Sequence, residues 1–600
     1  MKKYILSVAL ASLPILATAG QWIRINQLGY LPKSVKVAVL ISEEKTDIKD
    51  FELIDAKTSK SIAKLNSVKE TGALGKMGTT YRLDFSSIEK SGEYFLKAGN
   101  AQSPKFEIST TVYDGAADYV LNYMRQQRCG YNPFLKDSCH VHDGFIEYHP
   151  TKSGQHIDVT GGWHDAADYL QYTTTSANAI YQMSLAYEYN PEVFTDHYNA
   201  NGEEKANGIP DIVDEIKWGL DWLNKMNPAE GEFYNQIADD RDHAMFRSPN
   251  TDKVNYGYGP GTGRPVYFCS GEKQQRGKFM NATTGVASTT GKFASSFIAG
   301  ARAVDEFYPE FAKSIEIKAF DAFKLGEEKP GVCQTASVAS PYIYEEVNWT
   351  DDMELGAIEL YRKSGDKSYL KKATEYGRQE PITPWMGADS AKHYQWYPFM
   401  NMGHFRLANV ADKRLASEFI RNMRSGISRT YEKAENHPFL FGIPAIWCSN
   451  NLVVAMVTQC MLYRQTTGDT AYIEMEAALR DWLFGCNPWG TSMVVGLPQN
   501  GDYPSQPHCA YVQENVGNAW GGLVDGPVYA NIFKSLRGVK LDGLPWAKAE
   551  NYDLFQPGDI VYHDAIGDYS TNEPTMDGTA SMTFMLSSLE KEGWNQAQNK

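Results

Sequence analysis

Short apolar runs recur through the first part of the chain, at 35–40, 51–54, 81–85, 93–96 and 105–108. Gly, Asn, Asp and Ser separate them at short intervals, the pattern of strands in a β-sandwich. No cluster of reactive side chains falls among them, which predicts a structural or positioning domain. After Thr111 the period lengthens. Ile209, Ile212, Val213, Ile216, Leu220 and Leu223 recur at helical spacing, with Asp211, Asp214 and Glu215 between them. Segments 294–307, 353–362, 415–423, 451–464, 473–484 and 578–592 read as further helices. Aromatic and Gly-rich loops, such as 254–263 and 488–513, lie between helices. So many helices with few strand-like runs predict an all-α domain whose loops carry the function.

The N-terminus changes the picture of where the protein works. Lys2 and Lys3, an apolar stretch over 5–16 and the small residues Ala17-Thr18-Ala19 form an export signal. The expected division is a signal peptide over 1–19, a sandwich over 20–110 and a helical domain over 111–597. The apolar stretch is too short to span a bilayer, and no later stretch is long and uncharged enough. A secreted or periplasmic protein is expected, a retained N-terminal anchor being the alternative.

A net charge of −15 argues against nucleic acid and anionic membranes as partners, since both select basic surfaces. The 13 Trp, 36 Tyr and 26 Phe supply flat rings that fill cores and stack on pyranose faces; most are assigned to the core and a minority to a sugar cleft. Eight cysteines in so long an exported chain do not make a disulfide scaffold. Cys269, Cys333, Cys448, Cys460, Cys486 and Cys509 are expected as buried free thiols.

Two acidic segments stand out. In the run from Gly161 to Tyr169, Asp165 and Asp168 flank Ala166-Ala167, and two carboxylates so spaced can share one water, one as base and one orienting it. A capping turn is the bland reading of that spacing; Trp163 and Tyr169 beside it suggest an aromatic sugar floor. Far downstream, Asp568-Tyr569-Ser570-Thr571-Asn572-Glu573 offers a second carboxylate. Glu573 reads equally as a residue near a helix N-terminus, capped by Asn572 or Thr571 with Pro574 in the first turn. Burial among Tyr569 and Met576 would raise its pKa, as a general acid requires. Carboxylates on two separate segments that flank one glycosidic bond are what glycoside hydrolysis needs.

These segments resemble glycoside hydrolase family 9, inverting cellulases built on an (α/α)6 barrel. Asp165 and Asp168 match the two Asp of its Asp-Ala-Gly-Asp motif, with Ala167 in place of Gly. The resemblance makes Asp168 the catalytic base, Asp165 its partner on the water and Glu573 the general acid. Gly485-Cys486-Asn487-Pro488, Ser492-Met493-Val494-Val495-Gly496 and Gly522-Leu523-Val524-Asp525-Gly526-Pro527 follow in the family's order. Arg24 to Pro32 resembles the opening strand of the immunoglobulin-like module that precedes one branch of the family. Pro507-His508-Cys509-Ala510 departs from the family's Pro-His-His-Arg: His508 stays as a substrate contact, while Ala510 cannot replace the guanidinium's bidentate bonds. Trp163, Tyr169 and Tyr569 are further candidate substrate contacts.

Cys129, Cys139, His140 and His164 make a complete structural zinc set, though not at zinc-finger spacing; a disulfide with bystander histidines is the alternative and His142 a rival ligand. The resemblance implies zinc at the four, bracing the loop that holds Asp168. It also implies calcium at Asp351 and Asp352, where a plain acidic helix cap is the other reading. No organic cofactor is expected.

The leading expectation is thus a monomeric, inverting endo-β-1,4-glucanase acting on cellulose or a related β-glucan. An exo-acting cellodextrinase is the runner-up, motivated by Ala510. A non-catalytic glucan-binding protein is the alternative of another class, and the presence of all three acids speaks against it. A metalloenzyme working through the Cys/His cluster is a third.

Overall fold

The computed structural model describes residues 20–244, 246–339, 346–392, 396–535 and 552–598. The expected export signal, 1–19, lies outside the described residues.

The N-terminal strands form two packed antiparallel sheets. One runs β1 (Gln21–Arg24), β2 (Val37–Ser42), β6 (Met77–Asp84), β5 (Val68–Leu74). The other runs β4 (Ser61–Leu65), β3 (Phe51–Asp55), β7 (Gly92–Ala98), β8 (Ala101–Gln102), with β9 (Phe106–Ile108) also on β7. Leu40, Leu53, Leu83, Leu96 and Phe106 fill the space between them. β2 is buried on both faces, which explains its continuous apolar run. Ala38 and Leu40 point into the sandwich, whereas Val39 and Ile41 join the core of the helical domain. The loop after β1 completes the junction. Asn26 Nδ2 donates to Asp481 Oδ1 at 2.8 Å, and the Gln27 amide to the Phe484 carbonyl at 2.9 Å.

The helical part is a double ring. Its elements are α1 (Ala116–Gln126), α2 (Thr173–Tyr189), α3 (Asp211–Lys225), α4 (Ala287–Val304), α5 (Pro309–Glu328), α6 (Thr350–Ser364) and α7 (Lys367–Gly377). They continue with α8 (Met402–Ala408), α9 (Lys413–Ala434), α10 (Ser449–Thr467), α11 (Ile473–Leu483), the short α12 (Ala510–Gln513) and α13 (Ala530–Ser535), and α14 (Met576–Gln598). The inner ring closes on itself: α2 packs on α4, α4 on α6, α6 on α8, α8 on α10, α10 on α14 and α14 back on α2. α1, α3, α5, α7, α9 and α11 pack outside it, giving an (α/α)6 barrel.

Each ring has its own sequence signature. Outer α9 buries Ala416, Phe419, Met423, Ile427, Thr430 and Ala434, one stripe at helical spacing. Inner α10 buries every residue from Ser449 to Tyr463, so it has no polar face to reveal its period. One sheet within this domain was not expected from the sequence. Strands Phe145–Glu147, Pro265–Phe268, Tyr234–Ile237 and Gln171–Tyr172 lie side by side in that order. The last of them leads directly from the Asp165–Asp168 loop into α2.

Candidate active site

The loop from Gly161 to Leu170 enters the inner ring under backbone control at almost every residue. The Cys129 amide donates to the Gly162 carbonyl at 2.9 Å, and the His164 amide to the Gln127 carbonyl at 2.8 Å. Gln127 Nε2 reaches the Ala166 carbonyl at 2.5 Å, and the Tyr169 amide donates to Asp242 Oδ2 at 2.9 Å. Within the loop, the Asp165 amide donates to the Leu170 carbonyl at 3.0 Å, and Asp168 Oδ1 accepts the Leu170 N–H at 3.0 Å. Asp165 is buried, while Asp168 keeps 14% of its side chain exposed.

The second acidic segment is equally fixed. Asp568 accepts from Ser570 N and Oγ, Thr571 Oγ1 and His563 Nδ1 at 2.6–2.9 Å. The Glu573 carbonyl accepts the Asp525 amide at 2.9 Å. Glu573 is not in a helical first turn. Pro574–Thr575 pairs as a strand with Leu523–Val524, and the helix begins at Met576.

Folding joins the two segments directly. Glu573 Oε1 accepts the Ala167 N–H at 2.9 Å, beside Asp168, and the Met576 amide donates to the Asp165 carbonyl at 3.0 Å. Burial, followed by the charges of Asp525 and Asp168, pushes the Glu573 carboxyl well above the usual carboxylate range. A carboxyl kept protonated thus stands beside a partly solvated one, the division of labour that acid–base hydrolysis needs.

Partly exposed side chains line the open side: Phe246, Trp447, Tyr569 and His243. The Trp447 and Tyr569 rings lie 5.6 Å apart, and the Phe246 ring lies 4.6 Å from that of His508. His508 Nδ1 donates to the Ile566 carbonyl at 2.6 Å. Burial lowers its pKa to about 4, so the ring is neutral and offers Nε2 as an acceptor. His243 Nε2 lies 3.5 Å from Asp168 Oδ2. Burial pulls His243 down, but Asp168, with Asp242 and Glu573, outweighs it and lifts the pKa to about 9.

Two expected substrate contacts lie elsewhere. Trp163 is fully buried, its Nε1 donating to Glu215 Oε2 at 3.2 Å, with α3 pressed on its ring at Gly219. Tyr169 is buried with its hydroxyl on the Arg247 carbonyl and its ring against His164 and His140. Both support the acidic loop from behind. An aromatic next to an acid has the same sequence signature on either side of a loop.

Cys129, Cys139, His140 and His164 converge as one group, their ligand atoms all within 4.8 Å of one another. His140 Nδ1 lies 3.2 Å from His164 Nε2, and Cys139 Sγ 3.9 Å from the same nitrogen. Tetrahedral N and S ligands at zinc distances stand about 3.3–3.8 Å apart, so the donor set fits a metal ion. His140 Nε2 also meets Asp252 Oδ2 at 3.0 Å, the outer carboxylate that orients a metal-bound imidazole. Both cysteines are free thiols, and His142 is not part of the group.

The sequence model for glycosyl hydrolase family 9 matches residues 113–586, and that for the cellulase N-terminal ig-like domain matches 18–103. The chain belongs to glycosyl hydrolase family 9. It is 24% identical to endoglucanase D of Acetivibrio thermocellus over 96% of this chain and 81% of that one. It is 26% identical to the xyloglucan-specific endo-beta-1,4-glucanase BoGH9A of Bacteroides ovatus, over 95% and 93%. The crystal structure of a metagenome-derived family 9 endoglucanase superposes with a TM-score of 0.74 at 24% identity, covering 95% of this chain and 99% of that one.

Within this family 9 chain, calcium at Asp351 and Asp352 is not supported. Both carboxylates are buried at the start of α6, and the Lys292 ammonium lies 2.7 Å from Asp352 Oδ1 while also bonding Glu346. Asp351 accepts from the Tyr397 amide at 2.9 Å and from Asn348 Nδ2 at 3.1 Å. A lysine supplies the positive charge a metal ion would bring. Ala510, at the family's Arg position, begins α12 and is buried. Trp447 and His243 were missed in the sequence because each is a single residue without a spaced partner, and Asp525 was read only as part of the segment 522–527. Asp525 is fully buried, with Cys448 Sγ 3.2 Å from its Oδ1, and burial raises its pKa well above the usual range.

Proposed function

We propose that this family 9 hydrolase is an endo-β-1,4-glucanase that inverts the anomeric centre. Glu573 donates its proton to the glycosidic oxygen. Asp168, with Asp165, removes a proton from a water that attacks the opposite face of the sugar. The observation that carries the reading is the 2.9 Å bond from the Ala167 amide to Glu573 Oε1, which ties the acid to the residue before the base. Trp447 and Tyr569 offer ring faces to the glucan, and neutral His508 a hydrogen-bond acceptor to a sugar hydroxyl.

The four-residue Cys/His group is assigned to zinc. Its closed N2S2 set leaves no position for substrate, so the ion would brace the Asp165–Asp168 loop. Export through residues 1–19 places the enzyme where polymeric glucan is met.

A time course of cellohexaose hydrolysis, with products resolved by length and anomer, tests the reading. Early α-anomers of mixed length support it, and β-anomers refute the inverting roles of Asp168 and Glu573. A second reading, an exo-acting cellodextrinase, is favoured by buried Ala510, which leaves the cleft without the family's guanidinium. It requires a single short product from one chain end.

A further inference from the structure

Away from the acidic site, the outward flank of α1 borders a concavity of about 890 Å³. Tyr119, Asn122 and Gln126 of α1 form one wall, at positions facing away from the buried stripe of Ala117, Val120, Leu121 and Met124. Gln499, Tyr503, Trp520, Phe134 and Tyr198 also line it. None of Asp165, Asp168, His508 or Glu573 lines it.

The chemistry of this groove selects an uncharged ligand with both flat apolar faces and hydroxyls. Trp520 is 36% exposed, among the few large apolar side chains so open, and meets Tyr503 edge-on at 6.3 Å. The charges in the lining cancel: Arg125 and Lys136 stand against Glu203 and Glu204. Arg125 is already committed, its guanidinium stacked 3.7 Å from the Tyr198 ring centre and bonded to Asn122 Oδ1 at 2.7 Å. Glu203 accepts from the Tyr131 hydroxyl at 2.7 Å. Gln126, by contrast, is 97% buried (3% exposed) in the wall, and its side-chain oxygen accepts from no described group. An anionic or cationic ligand would find no net opposite charge here.

We propose that this groove is a second binding site for a β-linked glucan chain, with Trp520 and Tyr503 as its stacking side chains. The inference rests on the β-glucan reading of the catalytic cleft. Segment 499–520 borders both places, placing His508 at the cleft and Trp520 at the groove, so a chain held in the groove lies beside the hydrolytic site. The groove acts by retention and takes no part in bond cleavage.

The test uses cellohexaose and the full-length Glu573→Gln variant in titration calorimetry. Two binding events are expected. Adding Trp520→Ala or Tyr503→Ala weakens one of them by about tenfold or more, the effect of losing one stacked ring, and leaves the other unchanged. In the otherwise wild-type enzyme, Trp520→Ala keeps kcat/KM on cellotetraose within about twofold, which shows that the fold survives, and raises KM on soluble polymeric β-glucan. A single event in Glu573→Gln, unaffected by either substitution, overturns the groove and leaves the cleft reading intact. If wild-type enzyme hydrolyses no β-glucan and the variant binds none, both fall together.

Discussion

Glu215 offers the sharpest test of how the catalytic loop is held. Its carboxylate accepts Arg128 Nη2 at 2.5 Å and Trp163 Nε1 at 3.2 Å, and both ionic side chains are 1% exposed. Glu215→Gln keeps the shape and an acceptor for Trp163 but leaves the Arg128 guanidinium buried without its counter-charge. Losing one partner of a buried pair costs about 3–5 kcal/mol. Arg128 retains the Ala200 carbonyl at 2.9 Å and the Trp218 ring at 4.3 Å, which offsets about 0.5–2 kcal/mol of that. The expected net loss is about 2–4 kcal/mol. At about 2.1 cal/mol/K per residue, a helical domain of this size has an unfolding entropy near 1 kcal/mol/K, so the melting temperature should fall by about 2–4 °C. Calorimetry at a fixed scan rate measures it. The double variant Arg128→Met/Glu215→Leu removes both charges; the exposed Ala200 carbonyl can turn to water, and the buried Trp163 N–H is orphaned at a cost of about 1–3 kcal/mol. It should therefore melt at or above the single variant. A single variant indistinguishable from wild type, or a double variant far below it, would falsify the claim that this buried pair anchors Trp163 and the loop after it.

The remaining expectations concern the site itself. Glu573→Gln should lower kcat by about 10²–10⁴-fold on cellohexaose, the usual contribution of general acid catalysis; an unchanged rate would remove Glu573 from the mechanism. Because the acid must be protonated and its pKa lies well above the carboxylate range, kcat/KM should persist through mildly acidic pH and decline only as pH rises through that elevated value. A decline centred on about pH 4–5, where an ordinary Glu titrates, would contradict the burial argument. Elemental analysis should find one zinc per chain. Cys139→Ser should lose both the metal and thermal stability, whereas a metal-free wild type of full stability would rule out a bracing ion. Millimolar calcium should leave the melting temperature unchanged, since Lys292 already neutralises Asp352 and Glu346; a calcium-dependent rise would restore the Asp351–Asp352 site.

Much of this architecture could be read in the chain, for reasons that differ between its parts. The sandwich strands at 51–54 and 93–96 were visible because each buries alternate or successive apolar residues. The edge strands Ser61–Leu65 and Val68–Leu74, one in each sheet, were not, because they are largely exposed and carry polar sequences. Among the helices, α3 and α9 announced themselves by one apolar stripe. α2 sits inside the ring with Thr, Ser, Asn and Gln buried among Ala and Tyr, and nothing in it repeats at 3.6 residues. The acids Asp165 and Asp168 were legible as a spaced pair between aromatic neighbours. The direction of those neighbours was not, since Trp163 turns toward α3 only because Gly219 leaves room for its ring. The acidic pair at Asp351 and Asp352 failed as a metal site for a long-range reason. Its counter-charge, Lys292, comes from another inner helix.

The closure of the inner ring has a consequence for the life of the polypeptide. α14 follows the other described helices in chain order, and it packs against α2, the first of the inner helices. Glu573 lies just ahead of α14, and its contact partner Ala167 just ahead of α2. A nascent chain therefore carries the Asp165–Asp168 loop before Glu573 and α14 have been made. Any cut that releases the C-terminal helix returns the molecule to that state. The contact between Ala167 and Glu573, on which the proposed chemistry depends, forms only once the chain has been made past Glu573.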